Sequence, residues 1–148
     1  MTTPPHAIII AEAGVNHNGS LDTALEMVGR AARAGVDYVK FQTFKAENLV
    51  SASAPKARYQ QENCGDREGD DNSQLAMLKG LELTAADFAR LAEECRRQGV
   101  GFMSTPFDHE SIEQLAALGM DYWKIPSGEI TNLPYLRHIA SKGGRVIL

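Results

Sequence analysis

Residues 100–125, VGFMSTPFDHESIEQLAALGMDYWKI, hold one complete unit of a pattern that recurs along the chain. Val100-Gly101-Phe102-Met103-Ser104 is a short apolar run, the signature of a strand buried on both faces. Asp108 can accept the free amides that open a helix, and Ile112, Leu115, Ala116 and Leu118 then fall on one face before Gly119 stops it. Asp121-Tyr122-Trp123-Lys124-Ile125 is the next strand. Strands separated by helices pair in parallel through right-handed crossovers.

The same unit extends in both directions. Upstream, Thr84 with Asp87 three residues on caps a helix whose buried stripe is Phe88, Leu91, Ala92 and Cys95, ended by Gly99. Further upstream, the β-branched run at residues 7–11 reads as a first buried strand. Ser20 caps a helix with Leu21, Ala24, Leu25, Val28 and Ala31 on one face, and Gly35 precedes a second strand at 36–41. Downstream, Thr131 or Asn132 starts a helix that tolerates Pro134 in its first turn, with Leu136, Ile139 and Ala140 facing in. Gly143-Gly144 ends it, and Arg145-Val146-Ile147-Leu148 begins a fifth strand. Residues 43–83 interrupt the rhythm. Between Tyr59 and Gln74 five acidic residues (Glu62, Asp66, Glu68, Asp70, Asp71) face one base, Arg67, and a partly ordered loop over an active site is expected.

Two architectures fit: an open doubly wound sheet, or a (β/α)8 TIM barrel of which the chain covers about the first half, strands 1 to 5. No G-x-G-x-x-G follows the first strand, so nothing points to a dinucleotide fold. A barrel takes about 250 residues, and a sheet whose fifth strand lacks a closing helix keeps an open edge. The 148 residues are therefore expected to be one portion, 1–148, of a longer barrel.

Composition excludes several classes. With 43% hydrophobic and 23% charged residues the chain reads as a globular domain. Its formal charge of -4 offers no basic stripe for nucleic acid or an anionic membrane. The N-terminal residues lack a signal-peptide pattern, and no run approaches the roughly 20 apolar residues of a membrane helix. Cys64 and Cys95 have no metal-ligand spacing and read as free thiols, so a cytoplasmic location is expected.

Polar residues cluster where a parallel barrel places its chemistry, at the C-terminal strand ends. The first strand runs into Glu12, the second carries Lys40 and Gln42 two apart, the third ends in Ser104-Thr105-Pro106, and the fourth in Lys124 followed by Pro126-Ser127-Gly128-Glu129. A lysine inside an apolar strand is expensive unless it meets a partner. One instance could be a structural ion pair with Glu12. Two lysines converging beside a Ser-Gly turn with free amides describe an anion site, most simply for phosphate. Asn16-His17-Asn18-Gly19 reads first as a tight turn, and a lone His17 is weak evidence for a metal; His6, His109 and His138 suit solvated or core roles.

Four motifs in register, Ile10-Ala11-Glu12-Ala13-Gly14-Val15-Asn16-His17-Asn18-Gly19, Val39-Lys40-Phe41-Gln42-Thr43, Ser104-Thr105-Pro106-Phe107-Asp108 and Lys124-Ile125-Pro126-Ser127-Gly128-Glu129, resemble the bacterial N-acetylneuraminate (sialic acid) synthase family, which includes legionaminate and pseudaminate synthases. The resemblance runs from about Ile8 to Leu148. It implies a (β/α)8 barrel followed by an antifreeze-like domain, acting as a homodimer, that condenses phosphoenolpyruvate with an N-acetylmannosamine-type sugar to a nonulosonic acid and phosphate. It also implies a divalent metal, commonly Mn2+, whose ligands lie beyond Leu148.

Carried over by position, the resemblance makes Lys40, Lys124 and Ser127 phosphoenolpyruvate ligands. Glu12 and Glu129 become catalytic carboxylates, and Gln42 and Thr105 sugar-binding or mouth-lining residues. The family's sugar-reading asparagine would be Asn63 or Asn72. The segment alone is expected to be inactive. Competing expectations are a synthase acting on a phosphorylated aldose, a non-catalytic half-barrel that assembles with partner chains, and an aldolase using Lys124 as a Schiff base.

Overall fold

The structure, a computed structural model, describes residues 6–50 and 74–148. The acidic stretch expected to form a loop, with Cys64, Asn63 and Asn72, lies outside the described residues except for Gln74.

The first strand begins later than its apolar run suggests. β1 is Ile10–Gly14, and it pairs in parallel with β2, Tyr38–Thr43, starting at Ile10 opposite Tyr38. Ile8 and Ile9, read as buried, are half exposed. Asp37 fixes the start: its carboxylate accepts the Ile9 amide at 2.7 Å and pairs with His6 at 2.9 Å, while the Ile9 carbonyl takes the amide of Tyr38. A β-branched run marks extended chain but not where a ladder partner begins. β2 likewise lies two residues further along than the expected 36–41, which keeps Lys40 and brings Gln42 inside it.

β3, Gly101–Pro106, pairs in parallel with β2, giving the order β1-β2-β3. On β2 the burial alternates: Val39, Phe41 and Thr43 are buried, while Tyr38, Lys40 and Gln42 occupy the other face. The buried face packs on helix α1, Leu21–Arg33, whose core residues include Ala24 and Val28. Ser20 caps α1 as expected, accepting the Thr23 amide.

Between residues 43 and 83, read as an interruption, the described residues form two helices, α2 (Ala46–Leu49) and α3 (Gln74–Leu81), joined by the Lys79–Glu47 ion pair at 2.7 Å. α4, Ala85–Gln98, opens with the expected capping box of Thr84 and Asp87. It turns at Gly99, whose φ of 75° is the left-handed conformation glycine adopts without a Cβ penalty. Its Phe88, Leu91 and Cys95 complete the first core.

β4, Tyr122–Lys124, and β5, Arg145–Ile147, form a separate parallel pair. Helices α5 (His109–Ala116) and α6 (Leu133–Ser141) join the second core of Ile112, Leu115, Trp123, Ile125, Tyr135 and Ile139. The ladder is interrupted between β3 and β4, and side chains bridge the gap. Tyr38 Oη donates to Asp121 at 2.9 Å, Tyr135 Oη donates to the Pro106 carbonyl at 2.7 Å, and Phe102 packs against both cores. Burial, reinforced by Asp121, pushes the Tyr38 hydroxyl up to about 12, so it remains a donor at neutral pH.

Tyr38 and Tyr122 meet edge to face with ring centroids 5.4 Å apart. They come from alternate strands, and the intervening β3 supplies only Gly101 at that level. Alternate strands filling one interior layer is the packing rule of a parallel barrel. A Cβ built on Gly101 would lie 2.2 Å from the Tyr38 ring. Gly101→Ala should therefore destabilise the fold by about 1–3 kcal/mol through overpacking, read as a lowered urea midpoint with unchanged m-value.

Candidate active site at the C-terminal strand ends

The tyrosine layer sets the position of the polar residues above it. Side chains two apart on a strand share a face. Lys40 follows Tyr38 by two and Lys124 follows Tyr122 by two, so both lysines rise on the interior face one layer above the touching rings. The register places Glu12 beside Lys40 and Gln42 beside Thr105. β1 bulges between Glu12 and Gly14, where Gly14 adopts φ +56°. A Cβ there would sit 3.3 Å from Glu12 Oε1 and 3.5 Å from Gln42 Nε2, besides being strained, so glycine keeps these two groups free to approach.

Lys40 is largely buried, its side chain only 14% exposed. It forms an ion pair with Glu12 and donates to Thr105 Oγ1 at 3.3 Å. The structural ion pair is thus present, yet it does not exhaust the ammonium: three N–H donors serve two partners. Glu12 is half exposed, so it can turn aside when a stronger anion arrives. Lys124 donates to the Ile125 carbonyl at 2.5 Å and, among the described residues, has no carboxylate partner. Two cations at one level, one unneutralised and one shared, make an electropositive floor suited to a compact dianion.

Ser127 and Glu129 lie on the next turn, a single 3-10 turn at Ser127–Glu129 closed by the Glu129 amide on the Pro126 carbonyl at 2.9 Å. Ser127 is exposed. Glu129 Oε2 accepts from Asn132 Nδ2 at 2.6 Å, while Asn132 Oδ1 caps α6 by accepting the Tyr135 amide at 3.2 Å. Glu129 lines a cleft of about 390 Å³ with Asp108, His109 and Tyr135, and it touches neither lysine. Asn132 was legible only as a helix cap; its grip on Glu129 is a second role that its position, three residues on, allows.

The loops are pinned by caps. Asp108 accepts the Ser111 amide at 2.8 Å with one oxygen and the Lys45 amide at 2.8 Å with the other, tying the end of β2 to the start of α5. Asp108→Ala should cost about 1–3 kcal/mol, the loss of a cap plus an unpaired amide. A lower thermal midpoint, with faster amide exchange at Lys45, would register it.

The described histidines make contacts within the protein. His17 is buried, its Nδ1 accepts the Gly19 amide at 3.1 Å, and desolvation lowers its pKa. His6 pairs with Asp37, and His109 and His138 pair with each other at 2.7 Å. Among the described residues no group of three or more His, Cys, Asp or Glu side chains could hold a metal ion, so a metal does not fit this set. Burial pushes the Cys95 thiol up to about 12, so it stays protonated at neutral pH. No helix among the described residues is long and apolar enough to cross a membrane.

Known proteins resemble this chain in sequence and in fold. The model of the NeuB family matches residues 27–148. An N,N'-diacetyllegionaminic acid synthase of Legionella pneumophila is 53% identical over 134 residues, 90% of this chain and 36% of that protein. A Campylobacter jejuni protein of the same name is 48% identical over 141 residues, 95% of this chain and 41% of that protein. The chain thus spans well under half the length of these relatives. Among solved structures, an N-acetylneuraminic acid (sialic acid) synthetase from Leptospira borgpetersenii superposes with a TM-score of 0.76 at 29% identity, over 100% of this chain and 48% of that one. The Bacillus subtilis spore coat polysaccharide biosynthesis protein spsE gives 0.70 at 33% identity, over 97% and 36%. The fold is the N-terminal portion of a TIM barrel.

Proposed function

Because this chain belongs to the NeuB family, we propose that the polypeptide carrying it condenses phosphoenolpyruvate with an N-acetylmannosamine-type sugar to give a nonulosonic acid and phosphate. The observation that carries the reading is Lys40 and Lys124 on one interior face above the Tyr38–Tyr122 layer. The relatives' printed names supply the class of product, an N-acylated nonulosonic acid.

In this reading Lys40 and Lys124 hold the phosphate and carboxylate of phosphoenolpyruvate, and Ser127 donates a hydroxyl from the turn after β4. As the enol attacks the sugar aldehyde and water adds to the cationic carbon, charge moves onto the departing phosphate, where fixed ammonium groups stabilise it without reorganising. Glu12 exchanges Lys40 for the incoming anion. Gln42 and Thr105 face the sugar. Glu129, held by Asn132, takes the proton of the attacking water as general base.

A divalent cation, proposed as Mn2+, would be held by residues outside this segment. A homodimer with an antifreeze-like domain and a cytoplasmic location belong to the same proposal. The test is phosphate release by the full polypeptide from phosphoenolpyruvate with N-acetylmannosamine and its acetamido-substituted analogues. No release with any of them, together with release from a phosphorylated aldose, would move the assignment to the rival sugar-acid synthase. The 148-residue segment alone is proposed to release none.

A further inference from the structure

The two halves of the site stand on separate ladders. Lys40 and Thr105 belong to the β1-β2-β3 sheet, whereas Lys124 and the turn carrying Glu129 belong to the β4-β5 pair and the chain that follows β4. No ladder bond between β3 and β4 therefore sets how far Glu129 lies from the end of β3. At the N-terminal end of the gap, beneath both lysines, Tyr38 meets the Tyr122 ring and donates to Asp121. At the C-terminal end the tie is the Tyr135 hydroxyl, which donates at 2.7 Å to the carbonyl of Pro106, the residue after Thr105. Tyr135 and Pro106 are both buried. Burial, with the Glu129 and Asp108 carboxylates nearby, holds the Tyr135 phenol well above its usual range, so it stays a donor.

The backbone of Tyr135 continues the line. Pro134 precedes it in the first turn of α6 and has no N–H, so the Asn132 cap is left with the Tyr135 amide as its donor. Asn132 Oδ1 accepts that amide at 3.2 Å. A carboxamide is planar, so fixing Oδ1 also fixes the direction of Nδ2, which donates to Glu129 Oε2 at 2.6 Å. The Asn132 amide donates to the Glu129 carbonyl at 3.0 Å, and the Leu136 amide to the Asn132 carbonyl at 2.9 Å, so the backbone holds the same register.

We propose that Tyr135 is the positioning residue for Glu129: its hydroxyl seats α6 on the end of β3, and its amide, through Asn132, aims the carboxylate. The inference rests on the synthase reading above. It goes beyond that reading by assigning the distance between the base and the third strand to one buried residue of a helix.

Tyr135→Phe removes the hydroxyl alone. In the full polypeptide it should lower kcat for phosphate release about tenfold or more, since a displacement of about 1 Å at a reacting group costs up to about 10²-fold. KM for phosphoenolpyruvate should stay within about twofold, because the tyrosine layer and not α6 sets the level of the lysines. In a Glu129→Gln background the same substitution should cost less than about twofold, since a side chain that takes no proton gains little from being aimed. Ile139→Val, which thins the same core, is the stability control: it should lower the urea midpoint and leave kcat unchanged. A kcat for Tyr135→Phe within about twofold of wild type overturns the proposal, as does an equal loss in both Glu129 backgrounds or in Ile139→Val. Should Tyr135→Phe not fold, Asn132→Asp tests the remainder of the line. Aspartate keeps the cap and replaces the donor to Glu129 by an acceptor, so kcat must fall with the fold intact; an unchanged kcat overturns the proposal.

The Asn132 side-chain amide reports the same line without turnover. Its two proton resonances should be well separated in the wild type by the bond to Glu129 and should draw together in Tyr135→Phe. Identical resonances in the two proteins overturn the proposal. A lost separation without phosphate release from any sugar would leave the line from Tyr135 to Glu129 standing and remove the synthase reading.

Discussion

Lys40→Met in the full polypeptide should lower kcat/KM for phosphate release by about 10²–10³-fold, the usual loss when one preorganised charge is removed from a developing anion. The side chain is mostly buried between Glu12 and Thr105. Methionine fills similar volume, so packing survives, but two consequences remain. The phosphate loses a cation, and the Glu12 carboxylate, no longer neutralised, now repels it. Both act on the anionic substrate, so KM for phosphoenolpyruvate should rise as kcat falls. Lys40→Arg should not restore the rate, because a planar fork cannot take the place of a point charge held between Glu12 and Thr105. Steady-state phosphate release, with circular dichroism to confirm folding, decides it. A kcat/KM within threefold of wild type would show that Lys40 serves only the ion pair.

Glu129→Gln should lower kcat by about 10²–10⁴-fold with little change in KM, the range of general-base contributions. The substitution isolates basicity from position. A glutamine carbonyl still accepts from Asn132 Nδ2, so the turn at Ser127–Glu129 and the cap of α6 remain. What disappears is the ability to take a proton. Asn132→Ala provides the contrast: it keeps the carboxylate but removes its anchor and the cap. Turnover unaffected by Glu129→Gln would end the assignment of this residue as the base.

The placement of these two residues separates what can be read along a chain from what cannot. Lys40 was legible because a charged side chain inside Tyr-Val-Lys-Phe-Gln contradicts its surroundings, and such contradictions mark sites. Its company was less legible. Period-two alternation puts Lys40 and Gln42 on one face, but only the ladder register adds Glu12 and Thr105. Glu129 was found by motif, whereas its anchor Asn132 was visible only as a cap, since nothing local reveals that one amide serves two partners.

Alternation of apolar strands, capped helices and glycines determined the parallel β/α fold, because each cap and breaker acts through hydrogen bonds within a few residues of itself. Ser20, Thr84, Asp108 and Asn132 all cap the helices they precede. The tertiary structure decided where each strand truly starts, since a ladder begins where a partner backbone offers its groups: Ile10 rather than Ala7, Tyr38 rather than Val36. It also decided that residues 46–49 and 74–81 are helical and meet through the Lys79–Glu47 ion pair, a contact between segments far apart in sequence. The level of the two lysines came last. It depends on Gly101 leaving room for Tyr38 to reach Tyr122 across a strand, a long-range steric fact that no local pattern encodes.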